Sequence, residues 1–377
     1  MKAKPGALLF QAAPFCFGPI STTLNMVRQL AGKGLEIVMI GEGPTNNLLK
    51  RENLEFELLD ASTTAPFSDE LSKIIERANL VISNTDPAFA SACMRRGARV
   101  AVVDTLYWMW DRLDPILLES DAYLIQNFMG TAEQLERLGR PRNTVLVGPL
   151  ITAPELPLRR QERENFILIS LGGCDCNLVD HCQDPYPGMI FEMVEKVIRE
   201  NDMDLEIIWT TGERPASNLN GRFNTHRVGT FSNQDHVALM RRAKGVILSP
   251  GITGSMEAFE AGTPVFFLPP QNYSQALQLR AFREKGVAPF GFSWYDVYPD
   301  LSPPPYLPEE QAVSQIRQTI ERCASDQRVW DALYQALQLF LRSGIARYDP
   351  KPARELRTAL GTDGPLKAAQ AILQLLD

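Results

Sequence analysis

The sequence predicts an α/β protein whose two halves are each built around a parallel β-sheet. Short runs rich in valine, isoleucine and leucine alternate with helical segments in residues 7–147, and the same alternation restarts in residues 166–285. This alternation is typical of parallel strands that are joined by crossover helices. A charged, proline-bearing stretch without periodicity separates the two runs, and it indicates an interdomain linker.

These patterns predict four segments. The N-terminal domain is expected at residues 1–150, the linker at 151–165 and the C-terminal domain at 166–345, followed by C-terminal helices at 346–377 that return to the N-terminal domain. Ligands of open parallel sheets bind beyond the carboxyl ends of the strands. Two such domains facing each other would therefore form a cleft lined by both sets of loops, which suits a reaction between two substrates.

Composition excludes several classes of protein. The apolar content of 45% and charged content of 22% over 377 residues are those of a soluble globular protein. The net charge of −7 argues against a nucleic-acid-binding surface that is basic throughout, and leaves a local basic patch open. No run reaches the roughly 18 apolar residues of a membrane span, although peripheral membrane contact stays open. Six dispersed cysteines do not form a disulfide scaffold, so we expect reduced thiols and a cytoplasmic protein of unspecified oligomeric state.

Seven apolar runs in the first half predict strands: ALLFQAA, LEIVMIGEG, LEFELLD, NLVISNT, ARVAVVD, AYLIQN and TVLVGP. Helices are expected between some of them, at 21–32, 68–78 and 88–96. The first run follows two lysines, as in a signal peptide. Pro14 and Pro19 interrupt the apolar stretch and no cleavage-like end follows, which favours a strand.

Five runs in the second half predict strands: FILISLGG, LEIIWTTG, HRVGTF, GVILSPG and PVFFLPP. Helices are expected at 188–200 and 234–243, from near Gly254, and at 274–285. A rigid, proline-rich loop, LSPPPYLPEE, follows. The remainder from Pro308 is predicted to be helical, with breaks near residues 349–350 and 361–365.

The stretch SPGITGSMEAFEAGTPVFFLPPQNYSQ, residues 249–275, is the most informative segment. A strand ends, small residues follow, and a helix begins whose first amide groups and positive dipole end suit a diphosphate. Glu257 is expected about one turn into that helix, where a carboxylate accepts two hydrogen bonds from a ribose diol. The alternative is ordinary α/β architecture, in which a glycine loop precedes a helix and a glutamate near the N-terminus is favoured anyway.

The order of residues in this segment resembles the nucleotide-sugar-binding signature of GT-B glycosyltransferases. The matching residues are Gly251, Gly254, Ser255, Glu257, Ala258, Gly262, Pro264, Pro269 and Gln275. The likeness is greatest to the inverting branch, which includes natural-product transferases and the bacterial GlcNAc transferase that makes lipid II. It implies two Rossmann-like domains facing across a cleft. The N-terminal domain would bind a small-molecule, lipid or natural-product acceptor, and the C-terminal domain a nucleotide sugar, foremost a UDP-sugar.

The resemblance also implies roles for individual residues. The diphosphate would lie against the glycine loop and helix start: Gly251, Thr253, Gly254 and Ser255. Gly172 and Gly173 match a second glycine loop near the phosphates. Glu257 would bind the ribose and Gln275 the sugar hydroxyls. The nucleobase would lie near Gly229 and Phe231.

Two departures from the signature bear on the reaction. Ser274 stands where many members carry aspartate, which weakens the assignment of the sugar site. Ser249 stands where retaining enzymes often carry a second glutamate, and this favours inversion. No metal ion and no cofactor beyond the nucleotide-sugar co-substrate are expected, because a helix N-terminus is available for the diphosphate.

The general base is harder to assign. Many relatives place a histidine after the first strand, but the first 180 residues contain none. Two carboxylates end strands of the first half, and burial near a cleft would raise their pKa values toward those of a base. We predict that Asp104 is the base, with Asp86 as the second candidate. Both aspartates could instead be helix N-caps.

Aromatic and sulfur side chains leave further alternatives open. Four aromatic residues of the first half could bind the acceptor or simply pack in the core: Phe17, Tyr107, Trp108 and Trp110. A cluster of three cysteines with a neighbouring histidine lacks the ligand spacing of a structural zinc site, so loop thiols are expected: Cys174, Cys176, Cys182 and His181.

Two rival functions remain at this point. A UDP-GlcNAc 2-epimerase or nucleotide-sugar hydrolase of the same architecture would also bind a nucleotide sugar. A catalytically inactive GT-B scaffold would fit the missing histidine and the missing aspartate before Gln275.

Overall fold

The computed structural model describes residues 7–152, 159–172, 174, 185–201, 205–219 and 226–376. The chain divides into two compact units. Unit 1 comprises Met1–Thr152 and Leu360–Asp377, and unit 2 comprises Ala153–Ala359. Within the described ranges, no helix has both the length and the apolar character needed to cross a membrane.

Unit 1 contains a seven-stranded parallel sheet in the order β3-β2-β1-β4-β5-β6-β7. Its strands are β1 (Leu8–Ala12), β2 (Ile37–Gly41), β3 (Glu57–Asp60), β4 (Leu80–Asn84), β5 (Val100–Asp104), β6 (Ala122–Gln126) and β7 (Thr144–Val147). The helices that connect them are α1 (Gly18–Leu30), α2 (Pro44–Leu49), α3 (Asp69–Arg77), α4 (Pro87–Met94) and α5 (Thr131–Leu138). Short 3-10 turns occur at Tyr107–Met109 and Pro115–Glu119.

Both faces of this sheet are buried, which explains why its strands are continuous apolar runs. Phe10 and Ile82 lie in a core with α1 on one face, and Leu9 and Val81 lie in a second core with α3 and α4 on the other. The seven predicted strands are all present. α1 begins three residues before the predicted start, because Pro19 fits the first helical turn, where its missing N–H costs no hydrogen bond.

Unit 2 contains a five-stranded parallel sheet in the order β10-β9-β8-β11-β12. Its strands are β8 (Glu164–Ser170), β9 (Glu206–Thr210), β10 (His226–Gly229), β11 (Ala243–Leu248) and β12 (Val265–Phe267). Its helices are α6 (Tyr186–Glu200), α7 (Glu213–Leu219), α8 (Asn233–Arg242), α9 (Ile252–Ala261), α10 (Tyr273–Glu284), α11 (Glu309–Ala324), α12 (Gln327–Leu339), α13 (Ile345–Arg347) and α14 (Lys351–Leu360). Further short turns are Arg160–Glu162, Trp294–Asp296 and Pro299–Leu301, and a π-helix spans Phe340–Gly344.

α9 ends where a glycine is required. Gly262 is its C-cap in the left-handed conformation, at φ +62°, which glycine adopts without steric strain. A Cβ at this position would collide with the guanidinium group of Arg354. The glycine therefore permits both the helix end and the close approach of a cation, which the negative end of the helix dipole favours.

The last helix, α15 (Gly364–Gln374), packs in unit 1. Ala368 and Ile372 lie in the same core as Leu24 of α1. Gly364 lies so close to the backbone carbonyls of Gly148 and Pro149 that a side chain at this position would collide with them. Of the predicted returning segment, residues 346–359 lie in unit 2 and residues 360–377 in unit 1.

Candidate functional site

Unit 2 reverses its strand order between β8 and β11, where the loops following Ser170 and Leu248 leave the sheet. Open parallel sheets bind ligands at such a reversal, because the two loops run to opposite faces and leave a crevice between them. We call this region the β8/β11 edge. α9 begins here at Ile252 with Gly251 as its N-cap, two residues before the start predicted at Gly254.

The N-terminus of α9 faces space that no described residue fills. Within the described part of the chain, no side chain caps it, and a Cβ placed on Gly251 or Gly254 would meet no neighbouring atom within 4 Å. Thr253 lies half-buried in the same turn. Because the first amide groups of a helix lack intrahelical acceptors and carry the positive end of its dipole, this end of α9 suits an anionic ligand.

Two polar side chains lie buried farther along α9. Ser255 is fully buried, and its Oγ has no hydrogen-bond partner among the described residues. A buried hydroxyl without a partner is costly, and a bound ligand would satisfy it. Glu257 is 4% exposed and lies about one and a half turns into the helix, because α9 begins two residues before the predicted start; the sequence placed it about one turn in.

A glutamine that the sequence analysis did not consider joins the ends of three strands. Gln271 follows β12, and its Nε2 donates to the Leu171 carbonyl at 2.9 Å and to the Ser249 hydroxyl. Its Oε1 accepts a hydrogen bond from the Cys174 thiol at 2.9 Å. The only local signal was an amide after Pro269-Pro270, because the partners of Gln271 lie far away in the sequence.

Gln275, the predicted ligand of the donor sugar, also has a role inside the protein. It is 7% exposed, and its Oε1 accepts a hydrogen bond from the backbone amide of Gln271 at 2.9 Å. Ser274 donates to Asn272, which caps α10. Gln275 therefore stabilises the loop before α10, and its contribution to a sugar site would have to come from Nε2.

The loops predicted to hold the phosphates and the nucleobase are described in part. Gly172 adopts a left-handed conformation at φ +65°, and Gly173 lies outside the described residues. β10 ends at Gly229, and the half-buried ring of Phe231 follows two residues later. The guanidinium of Arg227 lies 5.1 Å from the centre of that ring. A partly exposed aromatic ring here offers a stacking surface to a planar ligand.

His236 lies on α8, and its Nε2 is 3.2 Å from the Ser170 hydroxyl at the end of β8. Burial of the imidazole lowers the pKa of His236 to about 4, so the ring is neutral at pH 7. It therefore serves the β8/β11 edge as a hydrogen-bonding group without charge. The other members of the predicted thiol cluster beyond Cys174 lie outside the described residues: Cys176, His181 and Cys182.

Unit 1 reverses its strand order between β1 and β4, and we call this region the β1/β4 edge. Gln11 of β1 and Ser83 of β4 are paired in register, so their side chains share a face of the sheet. The Ser83 hydroxyl donates to Gln11 Oε1 at 3.0 Å. Gln11 Nε2 donates to Asp86 Oδ2 at 2.7 Å, and the backbone amide of Phe89 donates to Asp86 Oδ1 at 2.9 Å. Asp86 is therefore the N-cap of α4 and also part of a polar network.

Thr85 precedes Asp86 in a strained backbone conformation. Its φ of +58° lies in the left-handed region, which a β-branched residue rarely adopts and which costs on the order of 1–3 kcal/mol. The conformation is held by a hydrogen bond from the Thr85 amide to the Val103 carbonyl at 2.8 Å and by contacts of its hydroxyl with Asn84 and Thr105. These contacts fix the direction in which the chain presents Asp86.

The carboxyl of Asp86 is half-buried, and this burial raises its pKa. The hydrogen bonds from the Phe89 amide and from Gln11 oppose that shift, whereas the nearby carboxylate of Glu42 adds to it. Asp86 thus combines partial exposure with a pKa moved toward that of a general base.

Asp104, the first candidate for the base, is more deeply enclosed. It is 3% exposed, and its carboxylate accepts hydrogen bonds from the Leu106 amide at 2.8 Å, Trp110 Nε1 at 2.9 Å and the Tyr123 hydroxyl at 2.8 Å. Burial raises the pKa of Asp104 to about 6. This geometry stabilises the loop after β5 and leaves the carboxylate little room for a substrate.

The four predicted acceptor-binding aromatics occupy two kinds of place. Tyr107 is fully buried and donates to the Gly139 carbonyl at 2.6 Å, and Trp108 is buried against Phe128 at a ring distance of 4.7 Å. Trp110 and Phe17 are half-buried. Packing therefore accounts for the first two rings, and the other two retain surface that a ligand could contact.

Comparison with solved structures identifies the fold. The glycotransferase of kitacinnamycin superimposes with a TM-score of 0.53 at 14% identity, over 99% of this chain and 100% of that one. The spinosyn forosaminyltransferase SpnP gives 0.53 at 13% identity, over 98% and 99%. Os79 from O. sativa, in complex with UDP, gives 0.55 at 11%, over 98% of each chain. No protein-family profile and no curated protein matches the sequence. The predicted α/β fold with two parallel sheets and C-terminal helices, as in GT-B glycosyltransferases, is confirmed.

Proposed function

We propose that the protein is an inverting, metal-independent glycosyltransferase of the hexosyltransferase type. It would move a sugar from a nucleotide sugar, foremost a UDP-sugar, to a hydroxyl of a small-molecule, lipid or natural-product acceptor. The observation that carries the proposal is the N-terminus of α9, which is uncapped among the described residues, lies at the strand reversal of unit 2 and faces space that no described residue fills. A diphosphate is the ligand that its amide groups and dipole favour.

Three further features support a nucleotide-sugar donor in unit 2. The Ser255 hydroxyl, buried without a partner among the described residues, would gain one from a ligand at the helix start. The half-buried ring of Phe231 offers a surface for a base. Two of the solved structures with this fold, those of Os79 and LpCGTa, hold UDP. The likeness to transferases of kitacinnamycin and spinosyn favours a natural-product acceptor.

The chemistry requires a proton acceptor and a stabilised leaving group. The acceptor oxygen would attack the anomeric carbon while the bond from that carbon to the diphosphate oxygen breaks, and the diphosphate would leave with the electron pair. A carboxylate of unit 1, Asp104 or Asp86, would take the proton of the attacking hydroxyl. The amide groups at the start of α9 would stabilise the charge that develops on the diphosphate, and attack from the opposite face inverts the anomeric centre.

A binding panel tests the proposal. UDP-, dTDP- and GDP-sugars are compared by thermal shift and calorimetry, and we expect a UDP-sugar to raise the melting temperature most. Transfer to an acceptor panel in the presence of EDTA then tests independence of metal, and the anomeric configuration of the product tests inversion. Free UDP or an epimer formed without acceptor would instead indicate a hydrolase or 2-epimerase. Absence of any nucleotide binding would indicate an inactive scaffold.

A further inference from the structure

The β1/β4 edge carries an assignment that the sequence did not reach. We propose that Gln11 is a positioning residue, which orients Asp86 as the carboxylate that receives the acceptor proton. This inference rests on the proposed function. It gives the base role to Asp86 rather than Asp104. It also assigns a role to Gln11, which lies 75 residues before Asp86 in the sequence.

The contacts of Gln11 are arranged to hold one carboxylate oxygen. Gln11 is fully buried, and its amide group is oriented by the Ser83 hydroxyl, which donates to Oε1 and leaves Nε2 pointing at Asp86 Oδ2, 2.7 Å away. The Phe89 amide holds the other oxygen. The Ala88 amide also acts on this carboxylate. Because a carboxylate has about four acceptor sites, at least one stays available to an incoming hydroxyl. The carboxylate is therefore fixed in direction without being saturated.

Asp104 offers the opposite arrangement. Three donors surround its carboxylate, and the residue is 3% exposed, whereas Asp86 is half-buried. An acceptor hydroxyl would have to displace the Trp110 or Tyr123 bond to reach Asp104. Approach to Asp86 breaks none of the bonds described for it.

The strand reversal adds a second, independent reason. Ligands of open parallel sheets bind at this point, and in unit 1 it lies between β1 and β4, the strands that carry Gln11 and lead to Asp86. Asp104 ends β5, one strand farther along the sheet. The strained conformation of Thr85 is also located here, where backbone strain is typical of functional positions.

The decisive experiment removes the donated hydrogen bond while keeping the volume of the side chain. In Gln11→Met the carboxylate loses one donor, so the pKa of Asp86 is expected to rise above its value in the unaltered protein. Other groups that act on Asp86 are Glu42, Cys93 and the amides of Ala88 and Phe89, and they stay unchanged. We expect the acidic limb of the kcat profile to move to higher pH and kcat to fall about 10–100-fold, as for other orienting partners.

Two readouts separate positioning from simple structural support. The titration of the Asp86 carboxyl carbon by NMR should shift in Gln11→Met, while the KM for the nucleotide sugar stays within about threefold, since donor binding is assigned to unit 2. Ser83→Ala is the graded control, because it removes the hydroxyl that orients the Gln11 amide but keeps Gln11 Nε2 as a donor. Its kcat should therefore fall less than that of Gln11→Met. If Gln11→Met does not fold, the isosteric Gln11→Glu replaces it. In Gln11→Glu, two adjacent carboxyl groups share a proton, so the acidic limb of the kcat profile should move to a still higher pH than in Gln11→Met.

The outcomes are distinct. An active protein whose Gln11 variants keep both kcat and the Asp86 titration unchanged overturns the positioning role alone. Equal losses in Ser83→Ala and Gln11→Met, with no change in the pH profile, overturn it as well, because they indicate only structural damage. An unaltered protein that binds no nucleotide sugar and transfers none overturns the proposed function first, and this role with it.

Discussion

The β1/β4 edge of unit 1 and the β8/β11 edge of unit 2 occupy the same place in their sheets but differ in chemistry. At the β1/β4 edge, amide, hydroxyl and carboxylate side chains are bonded to one another, as in Gln11, Ser83 and Asp86. At the β8/β11 edge, glycines leave a helix N-terminus open beside the buried Ser255. One arrangement can accept a proton, and the other can hold an anion. The same sheet architecture thus carries different chemistry at the corresponding edge of each unit, as the proposed function requires.

Asp86→Asn would break the β1/β4 side of this comparison most severely. The amide keeps the size of the side chain and much of its capping ability but removes the basic oxygen, so we expect kcat to fall about 10²–10⁴-fold. Steady-state kinetics with the best nucleotide sugar measures the effect, and calorimetry should show donor affinity almost unchanged. Asp104→Asn is the matched variant. A larger loss of kcat there than in Asp86→Asn would return the base role to Asp104, as the sequence predicted.

Glu257→Ala tests the β8/β11 side. If the carboxylate binds the ribose, loss of its hydrogen bonds should weaken nucleotide-sugar binding by ~1.5–3 kcal/mol, or roughly 10–150-fold. Isothermal calorimetry measures this directly. Because Glu257 is buried, its replacement could also destabilise the fold, so the melting temperature of the variant protein is measured in parallel. Glu257→Gln is the control that keeps the shape of the side chain. Unchanged affinity in a folded variant would remove Glu257 from the donor site.

The third prediction concerns the pH dependence of stability, which should come from the buried carboxyl of Asp104. Its folded pKa of about 6 exceeds the unfolded value near 4, so the folded state binds more protons between these values. Protonation of Asp104 therefore adds fully to the free energy of unfolding below about pH 4. This addition is lost, and stability should decrease, as pH rises toward about 6. Chemical denaturation across this range should show the decrease, and Asp104→Asn should abolish it. The variant should also lose about 1–3 kcal/mol, because one amide oxygen does not replace two carboxylate oxygens for three donors. A pH dependence that persists in Asp104→Asn would assign it to another group.

Gly254→Ala is the mildest change, and it separates binding from folding. A Cβ at this position meets no atom of the described residues within 4 Å, and alanine favours helix over glycine by up to about 1 kcal/mol, so the melting temperature should rise slightly. The same methyl group occupies the space that a diphosphate would use, and donor affinity should fall by about tenfold. Thermal melts and calorimetry on one preparation measure both effects. Affinity equal to that of the unaltered protein would place the phosphates elsewhere.

The two edges also differ in how far the sequence predicted them. The glycines, Ser255 and Glu257 follow one another within a single strand–loop–helix segment, so local order was enough to predict an anion site there. The general base was harder to predict from the sequence. Asp104 ends an apolar strand and Asp86 follows one by two residues. Nothing in the local sequence indicates that Asp86 is half-buried and that Asp104 is enclosed by three donors.

The sequence by itself determined the two α/β halves, their strands and the glycine-led helix, because apolar periodicity and glycine or proline placement act over a few neighbouring residues. Only the tertiary structure decided which polar groups meet. Gln11 bonds to Asp86 across 75 positions, and Gln271 to Leu171 across 100. Such pairs form because parallel pairing brings distant strand ends to one edge of a sheet, and burial then requires each polar group to find a partner. Neither the pairing of the strands nor the burial of a given polar group can be predicted from the local pattern of residues.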